Sequence, residues 1–345
     1  MVKMWEEILE QPVVLERNLE KNSGTVREII EAVQAQKVNF VYIAARGTSD
    51  HAAVYGKYVM ELVTGIPVAL AAPSVLTVYH SSLKLKNCLV IAVSQSGKAA
   101  DALEVIRNAN SQGALTVSIT NDPNSPLAAE SKFHLCCEAG PEKSVAATKT
   151  FTAQMFLLAQ LAAEWAESEE IKKDLSQVPG KMSQTFEASK IIQEKVVRYR
   201  FMDECFILAR GINYAISLEA ALKIQETTYA RAKAFATSDF QHGPIAMVER
   251  DIPVMIFAPE GPSLKDSVEI INKLKEKQAE LIIISNNKQA LSLGTTSFAI
   301  PETSNDLISP FFNAVIAQMF ACQLSLTKGL NPDSPRGLSK VTITK

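Results

Sequence analysis

Histidine and tryptophan are scarce in this chain of 345 residues, which has four of the first and two of the second. None of its five cysteines forms a Cys-x-x-Cys pair or a set with metal-ligand spacing, so we expect buried reduced thiols and no metal or redox cofactor. The formal net charge is only −2, with lysine and arginine scattered along the chain. This pattern gives no basic surface for nucleic acid or for a membrane, so local groups must hold any anionic ligand.

Signals for export and for membrane insertion are also missing. The stretch Met1–Glu20 is acidic and amphipathic, without the basic start and apolar core of a signal peptide. The most apolar helical stretches, Phe151–Ala163 and Phe311–Leu326, contain glutamine or asparagine and lack the roughly 18 unbroken apolar residues of a membrane span. The sequence therefore predicts a cytoplasmic protein.

Short apolar runs rich in β-formers alternate with longer stretches of helical periodicity. Continuous apolar strands separated by helices indicate parallel sheets covered by helices on both faces, an α/β fold. The predicted strands are Phe40–Ala44, Val68–Ala71, Leu89–Val93, Leu115–Ile119, His134–Cys137, Cys205–Leu208, Val254–Ala258, Leu281–Ile284 and Phe298–Ile300.

The length and the two series of strands predict two domains, at residues 1–195 and 196–345. Between the series, Ser168–Arg198 is predicted to be a helical linker broken at Pro179-Gly180. The segment Val41–Gly47 is echoed by Cys205–Gly211, and both end in Ala-Arg-Gly before a helix. This repeat at equivalent strand ends favours a duplicated α/β domain.

In parallel sheets, ligands bind beyond the carboxyl ends of the strands. There, Ser94-Gln95-Ser96-Gly97 offers hydroxyl and amide donors ahead of a helix, which suits a phosphate group. Gly47-Thr48-Ser49 follows the first strand and also offers hydroxyl donors ahead of a helix, although alone it is more typical of an ordinary helix cap. The equivalent turn of the second half is Ala258-Pro259-Glu260-Gly261. Its proline lacks an N–H donor, and its glutamate would repel a phosphate group. Only the first half is therefore expected to bind an anion.

Glu219, Lys223 and Glu226 have the spacing of one helical face. A carboxylate beside an ammonium group can accept a proton from carbon, although a solvated ladder of salt bridges is the common alternative. His242 precedes Gly-Pro and is predicted to lie on a turn, whereas the other three histidines, His51, His80 and His134, are predicted to be structural.

These residues resemble the sugar isomerase (SIS) domain family, most closely the isomerase half of the glutamine–fructose-6-phosphate aminotransferases. The resemblance covers nearly the whole chain and is strong because the motifs occur in the family's order. They are Glu6–Pro12, Gly47–Ser49, Ser94–Gly97, Val145–Lys149, Ala221–Glu226, His242–Pro244 and Asp333–Lys340.

The resemblance implies two tandem SIS domains, each a parallel sheet flanked by helices, in a homodimer that binds a phosphorylated sugar. Implied substrate-binding residues are Gly47, Thr48, Ser49, Ser94, Gln95, Ser96, Val145 and Ser339. Glu226 would move the proton between C1 and C2, and His242, donated by the partner subunit, would open the sugar ring. Lys340 would lie against the open-chain sugar, with Lys223 beside Glu226; a solvated terminal lysine is the alternative for Lys340.

The chain also departs from the aminotransferases. Val2 follows Met1 where their glutaminase domain would begin with a cysteine nucleophile, so glutamine hydrolysis is not expected of this chain. Lys98-Ala99 replaces Glu-Thr, Ser238–Gln241 replaces Gly-Glu-Leu-Lys, and Arg46 replaces a small residue. These changes flank the sugar site, so we expect a substrate that can differ from fructose 6-phosphate.

The leading hypothesis is an isomerase or deaminase of a hexosamine 6-phosphate or a related amino sugar phosphate. A deglycase that releases an amino acid from a fructosamine 6-phosphate is an enzyme alternative. A non-catalytic sensor of sugar phosphate is an alternative of another class, which would need neither a base nor a ring-opening acid. A subunit that lends isomerase activity to a separate glutaminase is a third possibility.

Overall fold

The chain forms two compact units in a computed structural model that describes residues 1–303 and 305–340. The first-sheet unit comprises Val13–Glu142 and Lys149–Ser176. The second-sheet unit comprises Met1–Pro12, Lys143–Thr148 and Gln177–Lys340, so the two units alternate along the sequence. The domain boundary between residues 195 and 196 remains a prediction.

The first sheet has five parallel strands in the order β2-β1-β3-β4-β5. Every residue of the two strands β3 and β4 is buried, which is why β3 is apolar throughout and β4 consists of aliphatic residues alternating with small hydroxyl residues. The strands are β1 Phe40–Ala44, β2 Val68–Leu70, β3 Cys88–Val93, β4 Leu115–Thr120 and β5 Phe133–Cys136.

The second sheet is also parallel, with the order β7-β6-β8-β9-β10. Its strands are β6 Glu204–Ala209, β7 Arg231–Ala236, β8 Pro253–Phe257, β9 Glu280–Ser285 and β10 Thr296–Ala299. The first strand of each series lies second in its sheet, and the third strand lies in the centre. This shared order confirms the predicted duplication and the predicted α/β class.

Strand β7 is absent from the sequence prediction. It lies at an edge of the sheet, pairs only with β6 among the described strands, and exposes Arg231 and Lys233. Alanine and lysine are weak strand formers, and the segment has no continuous apolar run. Its parallel pairing with β6 outweighs this weak local preference.

The helices are α1 Lys3–Leu9, α2 Gln11–Ala35, α3 Thr48–Thr64, α4 Ser74–Thr77, α5 Ala100–Ser111, α6 Pro126–Glu130, α7 Lys149–Trp165, α8 Glu169–Thr185, α9 Ala188–Val196, α10 Tyr214–Thr228, α11 Thr237–Gln241, α12 Leu264–Glu276, α13 Lys288–Ser292 and α14 Ser309–Thr327. Short 3₁₀ turns lie at Val197–Tyr199, Gly211–Asn213, Pro244–Met247 and Asp306–Ile308. Helix α3 packs on α7 in the first-sheet unit, and α10 packs on α14 in the second-sheet unit.

The predicted break at Pro179-Gly180 is wrong, because α8 continues through Pro179 and ends at Thr185. Proline removes one helical hydrogen bond. A face of buried side chains with helical spacing, Ile171, Leu175, Val178 and Met182, stabilises the helix across it.

Among the described residues, one helical stretch, Asp306–Thr327, is long and apolar enough to cross a membrane. However, 89% of its most apolar window is buried inside the structure, as is typical of a core helix. Asn313 and Gln318 are both fully buried within it. Asn313 donates to Asn213 and Gln318 donates to the Thr148 carbonyl, so both side-chain NH2 groups find acceptors in the protein interior.

Candidate active site

The first predicted ligand loop joins β1 to α3. Gly47 has a φ of +56°, and its carbonyl accepts hydrogen bonds from the N–H groups of Asp50 (2.9 Å) and His51 (3.2 Å). A left-handed residue at this position turns the chain sharply from strand into helix, which favours glycine. Thr48 and Ser49 therefore form the first turn of α3, with Thr48 partly exposed and Ser49 buried.

The second predicted ligand loop joins β3 to α5 and is held by its own polar groups. The Ser94 hydroxyl accepts a hydrogen bond from the Gly97 N–H at 3.2 Å, and the Gln95 carbonyl accepts one from the Asn121 N–H at 3.0 Å. Ser94 is buried, whereas Gln95 and Ser96 are partly exposed. These contacts fix the loop backbone and leave side chains of the loop at the surface beyond the carboxyl end of β3.

Gly97 has a specific steric role in this loop. Its φ is +64°, and a Cβ atom there would collide with the side chain of Ser125. The Ser125 hydroxyl accepts from the Ala128 N–H and so caps α6, which limits its freedom to move away. The loop can therefore approach the β4–α6 connection only with glycine at this position.

In the second-sheet unit, helix α10 carries the predicted proton-transfer group. The Lys223 ammonium lies 2.6 Å from a carboxylate oxygen of Glu226 and 3.4 Å from one of Glu219. Burial lowers the pKa of Lys223, but the charges and hydrogen bonds of the two glutamates outweigh it and raise the pKa above its usual value. Lys223 therefore stays protonated at neutral pH, and the predicted common helical face is confirmed.

The three side chains differ in their access to the surface. Those of Lys223 and Glu219 are each 1% exposed, whereas that of Glu226 is 22% exposed. The group holds one positive and two negative charges when all three residues are ionised. Glu226 is therefore the carboxylate of this group that a ligand can contact.

His242 follows the short helix α11 and precedes Gly243, whose φ is +148°. Its N–H donates to the Asp239 carbonyl at 3.1 Å, and its side chain is exposed. The predicted position on a turn is confirmed. Of the histidines predicted to be structural, His134 is hydrogen-bonded to Thr120 at 2.9 Å, and burial lowers its pKa.

The C-terminal tail of the described chain meets the segment Lys143–Thr148 within the second-sheet unit. The Lys340 ammonium donates to the Ser144 carbonyl at 2.6 Å, and the Val145 N–H donates to the Asp333 carbonyl at 3.2 Å. Lys340 is thus held by the protein instead of extending as a solvated terminal lysine. Val145 is partly buried, and Ser339, its neighbour in the predicted site, is exposed.

Glu7 is a residue of this region to which the sequence analysis gave no separate role. Its side chain is buried, and its carboxylate accepts hydrogen bonds from the N–H groups of Lys143 and Ser144, the latter at 3.2 Å. The Ser144 N–H thus donates to Glu7, and the Ser144 carbonyl accepts from Lys340. The only sequence signal for this role was the position of Glu7 inside the Glu6–Pro12 motif.

The predicted site residues therefore form groups within each unit. The Gly47–Ser49 and Ser94–Gly97 loops belong to the first-sheet unit, whereas Glu226, His242 and Lys340 belong to the second-sheet unit. In the part of the chain that the structure describes, no cluster of three or more histidine, cysteine or acidic side chains could hold a metal ion.

Two parallel five-stranded sheets of one strand order, with hydroxyl-rich loops beyond the strand ends of the first sheet, define a tandem α/β protein. The SIS domain family matches residues 36–164 and 202–328, one match for each sheet. The chain belongs to the SIS domain family.

The relatives with established names are longer proteins than this chain. The chain is 31% identical over 354 residues to glutamine–fructose-6-phosphate aminotransferase of Clostridium tetani, covering 98% of this chain and 58% of that protein. The enzyme of the same name from Methanosarcina acetivorans is 32% identical, with 98% and 57% covered. The chain thus spans a little more than half the length of these relatives.

Solved structures agree with the fold. A candidate phosphosugar isomerase from Silicibacter pomeroyi is 33% identical with a TM-score of 0.87, covering 96% of this chain and 100% of that one. The C-terminal domain of glucosamine-fructose-6-phosphate aminotransferase from Francisella tularensis is 25% identical with a TM-score of 0.86, covering 96% and 98%. Together these structures agree with the two parallel sheets of this chain.

Proposed function

We propose that this chain is a phosphosugar isomerase and deaminase that acts on an amino sugar phosphate such as glucosamine 6-phosphate, with fructose 6-phosphate as the ketose. The observation that carries the proposal is the buried Lys223, flanked by two carboxylates of which Glu226 is the more exposed. A charged group of this kind is costly to bury and is typical of a functional site.

The phosphate is held by the Ser94-Gln95-Ser96 loop. Its hydroxyl and amide groups donate to phosphate oxygens, and the free N–H groups at the start of the 12-residue helix α5 favour negative charge. Gly47, Thr48 and Ser49 contact the sugar hydroxyls. In the second half, the Glu260 carboxylate accepts from the Asn287 amide at 2.7 Å, which places an acid in the equivalent turn and supports a single phosphate site.

Proton transfer is the work of the second half. His242 opens the sugar ring, and Glu226 takes the proton from C2 of the open-chain amino sugar and delivers it to C1. As the amine nitrogen loses one proton and the C1 oxygen gains one, this step leaves a hydroxymethyl group at C1 and an imine at C2. Water then hydrolyses the imine to the ketose and ammonia. Lys223 pairs with Glu226 and orients its carboxylate, while Lys340, Val145 and Ser339 contact the open chain and stabilise developing negative charge.

A homodimer completes the site, with His242 donated by the partner subunit. The exposed side chain of His242 supports this part of the proposal. We further propose that the protein acts in the cytoplasm, without nucleic acid or membrane partners. The net charge of −2, spread over the sequence, supports this assignment.

The test is the release of ammonia and the formation of fructose 6-phosphate on incubation with glucosamine 6-phosphate. Wild-type protein is expected to turn the substrate over, and Glu226→Gln to lose at least about 10²-fold in kcat, the usual size of a general-base effect. Glu276→Gln, which changes an exposed carboxylate on α12, is the control.

Release of an amino acid from a fructosamine 6-phosphate, without turnover of glucosamine 6-phosphate, would replace the proposal with a deglycase. Binding of sugar phosphates with no turnover of either substrate would show a sensor.

A further inference from the structure

An ion pair joins the two ligand loops of the first half. Arg46, just before Gly47, donates from Nε (2.9 Å) and Nη2 (2.7 Å) to one carboxylate oxygen of Asp101, in the first turn of α5. The side chain of Asp101 is 10% exposed, whereas that of Arg46 is 53% exposed. The pair therefore links the end of β1 to the helix that follows the Ser94–Gly97 loop.

The second half contains the same ion pair at the equivalent positions. Arg210 follows β6, Asp266 lies in the first turn of α12, and their side chains are 3.1 Å apart. The carboxylate of this second pair is far more exposed, because the side chain of Asp266 is 50% exposed and that of Asp101 only 10%, whereas Arg210 is 41% exposed. Because both halves contain this arginine–aspartate ion pair, the pair is a feature of the duplicated fold. Its surroundings, however, differ between the halves.

The pair of the first half lies among acidic groups at the proposed phosphate site. Asp50 and Asp101 each lie in the first turn of a helix, α3 and α5, that points its N-terminus at the loops. Carboxylates there stabilise the helices but repel a phosphate dianion. Burial raises the pKa of Asp50, and the positive charges of His51 and Arg46 oppose this rise, so the charge of Arg46 acts on both acids.

We infer that Arg46 is a positioning residue for phosphate binding, which cancels the charge of Asp101 and holds the two loops together so that the Ser94–Ser96 loop accepts a dianion. This inference rests on the proposed function, because it assumes that the loop holds the phosphate of the substrate. Arg210 forms the equivalent ion pair with Asp266 but has no role in ligand binding.

The test compares Arg46→Gln, Asp101→Asn, the double variant and Arg210→Gln. Dissociation constants for inorganic phosphate and for glucosamine 6-phosphate are measured by calorimetry, and thermal unfolding checks the fold of each variant. Arg46→Gln is expected to weaken both ligands about tenfold, because Asp101 then repels the phosphate. The double variant is expected to recover to within about threefold of wild type, since the repelling charge has gone with its partner. Arg210→Gln is expected to bind as wild type does.

A structural role would give a different pattern, because the double variant would then bind as weakly as Arg46→Gln or more weakly. That result, unchanged binding by Arg46→Gln, or a wild-type protein that binds neither ligand would overturn the inference. The binding pattern is independent of turnover. The expected pattern in a protein without isomerase or deaminase activity would support the inference and contradict only the proposed function.

Discussion

Lys223 shows how much of the candidate site could be predicted at the scale of single residues. The spacing of Glu219, Lys223 and Glu226 predicted a common helical face, and the structure confirms it. The depth of burial could not be predicted, because α10 reads locally like a helix that could expose charged residues. Packing of α10 on α14 and on its own sheet buries Lys223 fully and leaves Glu226 as the more accessible carboxylate.

Replacing Lys223 by methionine leaves two carboxylates near each other without their cation. We expect the free energy of unfolding to fall by about 3–5 kcal/mol, as for other buried ion pairs that lose one partner. Urea denaturation at pH 7 measures this loss, with the exposed Lys275→Met as the control. A fall no larger than that of the control would show that the group is solvated instead of buried.

Lys223 also makes the folding stability depend on pH in the alkaline range. Because the folded-state pKa of Lys223 lies above 10.5, its contribution to stability is fully present below about pH 10.5. It is lost only as the pH rises through the folded value. We therefore expect the stability difference between wild type and Lys223→Met to stay constant from pH 7 to 9. A difference that shrinks within this range would contradict the raised pKa.

The cysteines give a prediction about reactivity. Burial raises the pKa values of Cys205 and Cys322 to about 12, and Cys88 and Cys137 are buried as well. Only Cys136 of the five is partly exposed. A colorimetric thiol titration at pH 8 is expected to detect at most this one thiol rapidly in native protein and all five in urea. Rapid reaction of two or more native thiols would contradict the predicted burial.

At the scale of elements, mainly apolar runs predicted the strands well, because strands buried on both faces carry few polar side chains. Edge strand β7 was missed since its alternation of alanine with exposed charge carries no such signal. The course of α8 through Pro179 was also missed, because the local penalty of proline is visible in the sequence and the compensating burial is not. Long-range packing decides both cases.

Helix α1 supplies the support that sequence reasoning could not locate. Asp333 accepts hydrogen bonds from the N–H groups of Lys3 (2.8 Å) and Met4 (2.7 Å), and Glu7 accepts from Lys143 and Ser144. These contacts join residues more than a hundred positions apart, and no local pattern announces them. Helix α1 thereby holds both the tail and the segment that the proposed function places against the sugar.

Glu7→Gln tests this support. A neutral amide accepts backbone hydrogen bonds more weakly than a carboxylate, so we expect the Ser144 segment to loosen and kcat/KM to fall about tenfold, equivalent to roughly 1.4 kcal/mol. Glu6→Gln is the matched control, because Glu6 lies next to it on α1, has a side chain that is 39% exposed and pairs with Lys3. Equal kinetics for the two variants would remove Glu7 from the support of the site.

At the scale of the whole molecule, the two sheets share one strand order and one arginine–aspartate tie but differ in chemistry. The hydroxyl-rich loop belongs to the first half, and the buried lysine with its two glutamates belongs to the second. The sequence predicted this division from the contrast between Ser94–Gly97 and Ala258–Gly261. The interleaving of segments 1–12 and 143–148 with the second-sheet unit was not predictable, since it depends on contacts far apart in sequence.

The proposed function depends most on one step, the transfer of a proton by Glu226 between C1 and C2 of a bound sugar phosphate. Proton NMR of fructose 6-phosphate in deuterated water, with added ammonia, follows the hydrogen atoms at C1 directly. Wild-type protein is expected to remove a C1 proton, either exchanging it for deuterium or transferring it to C2, and Glu226→Gln is expected to leave both C1 protons in place over the same time. Loss of a C1 proton at the wild-type rate in Glu226→Gln would show that Glu226 is not the proton-transfer group.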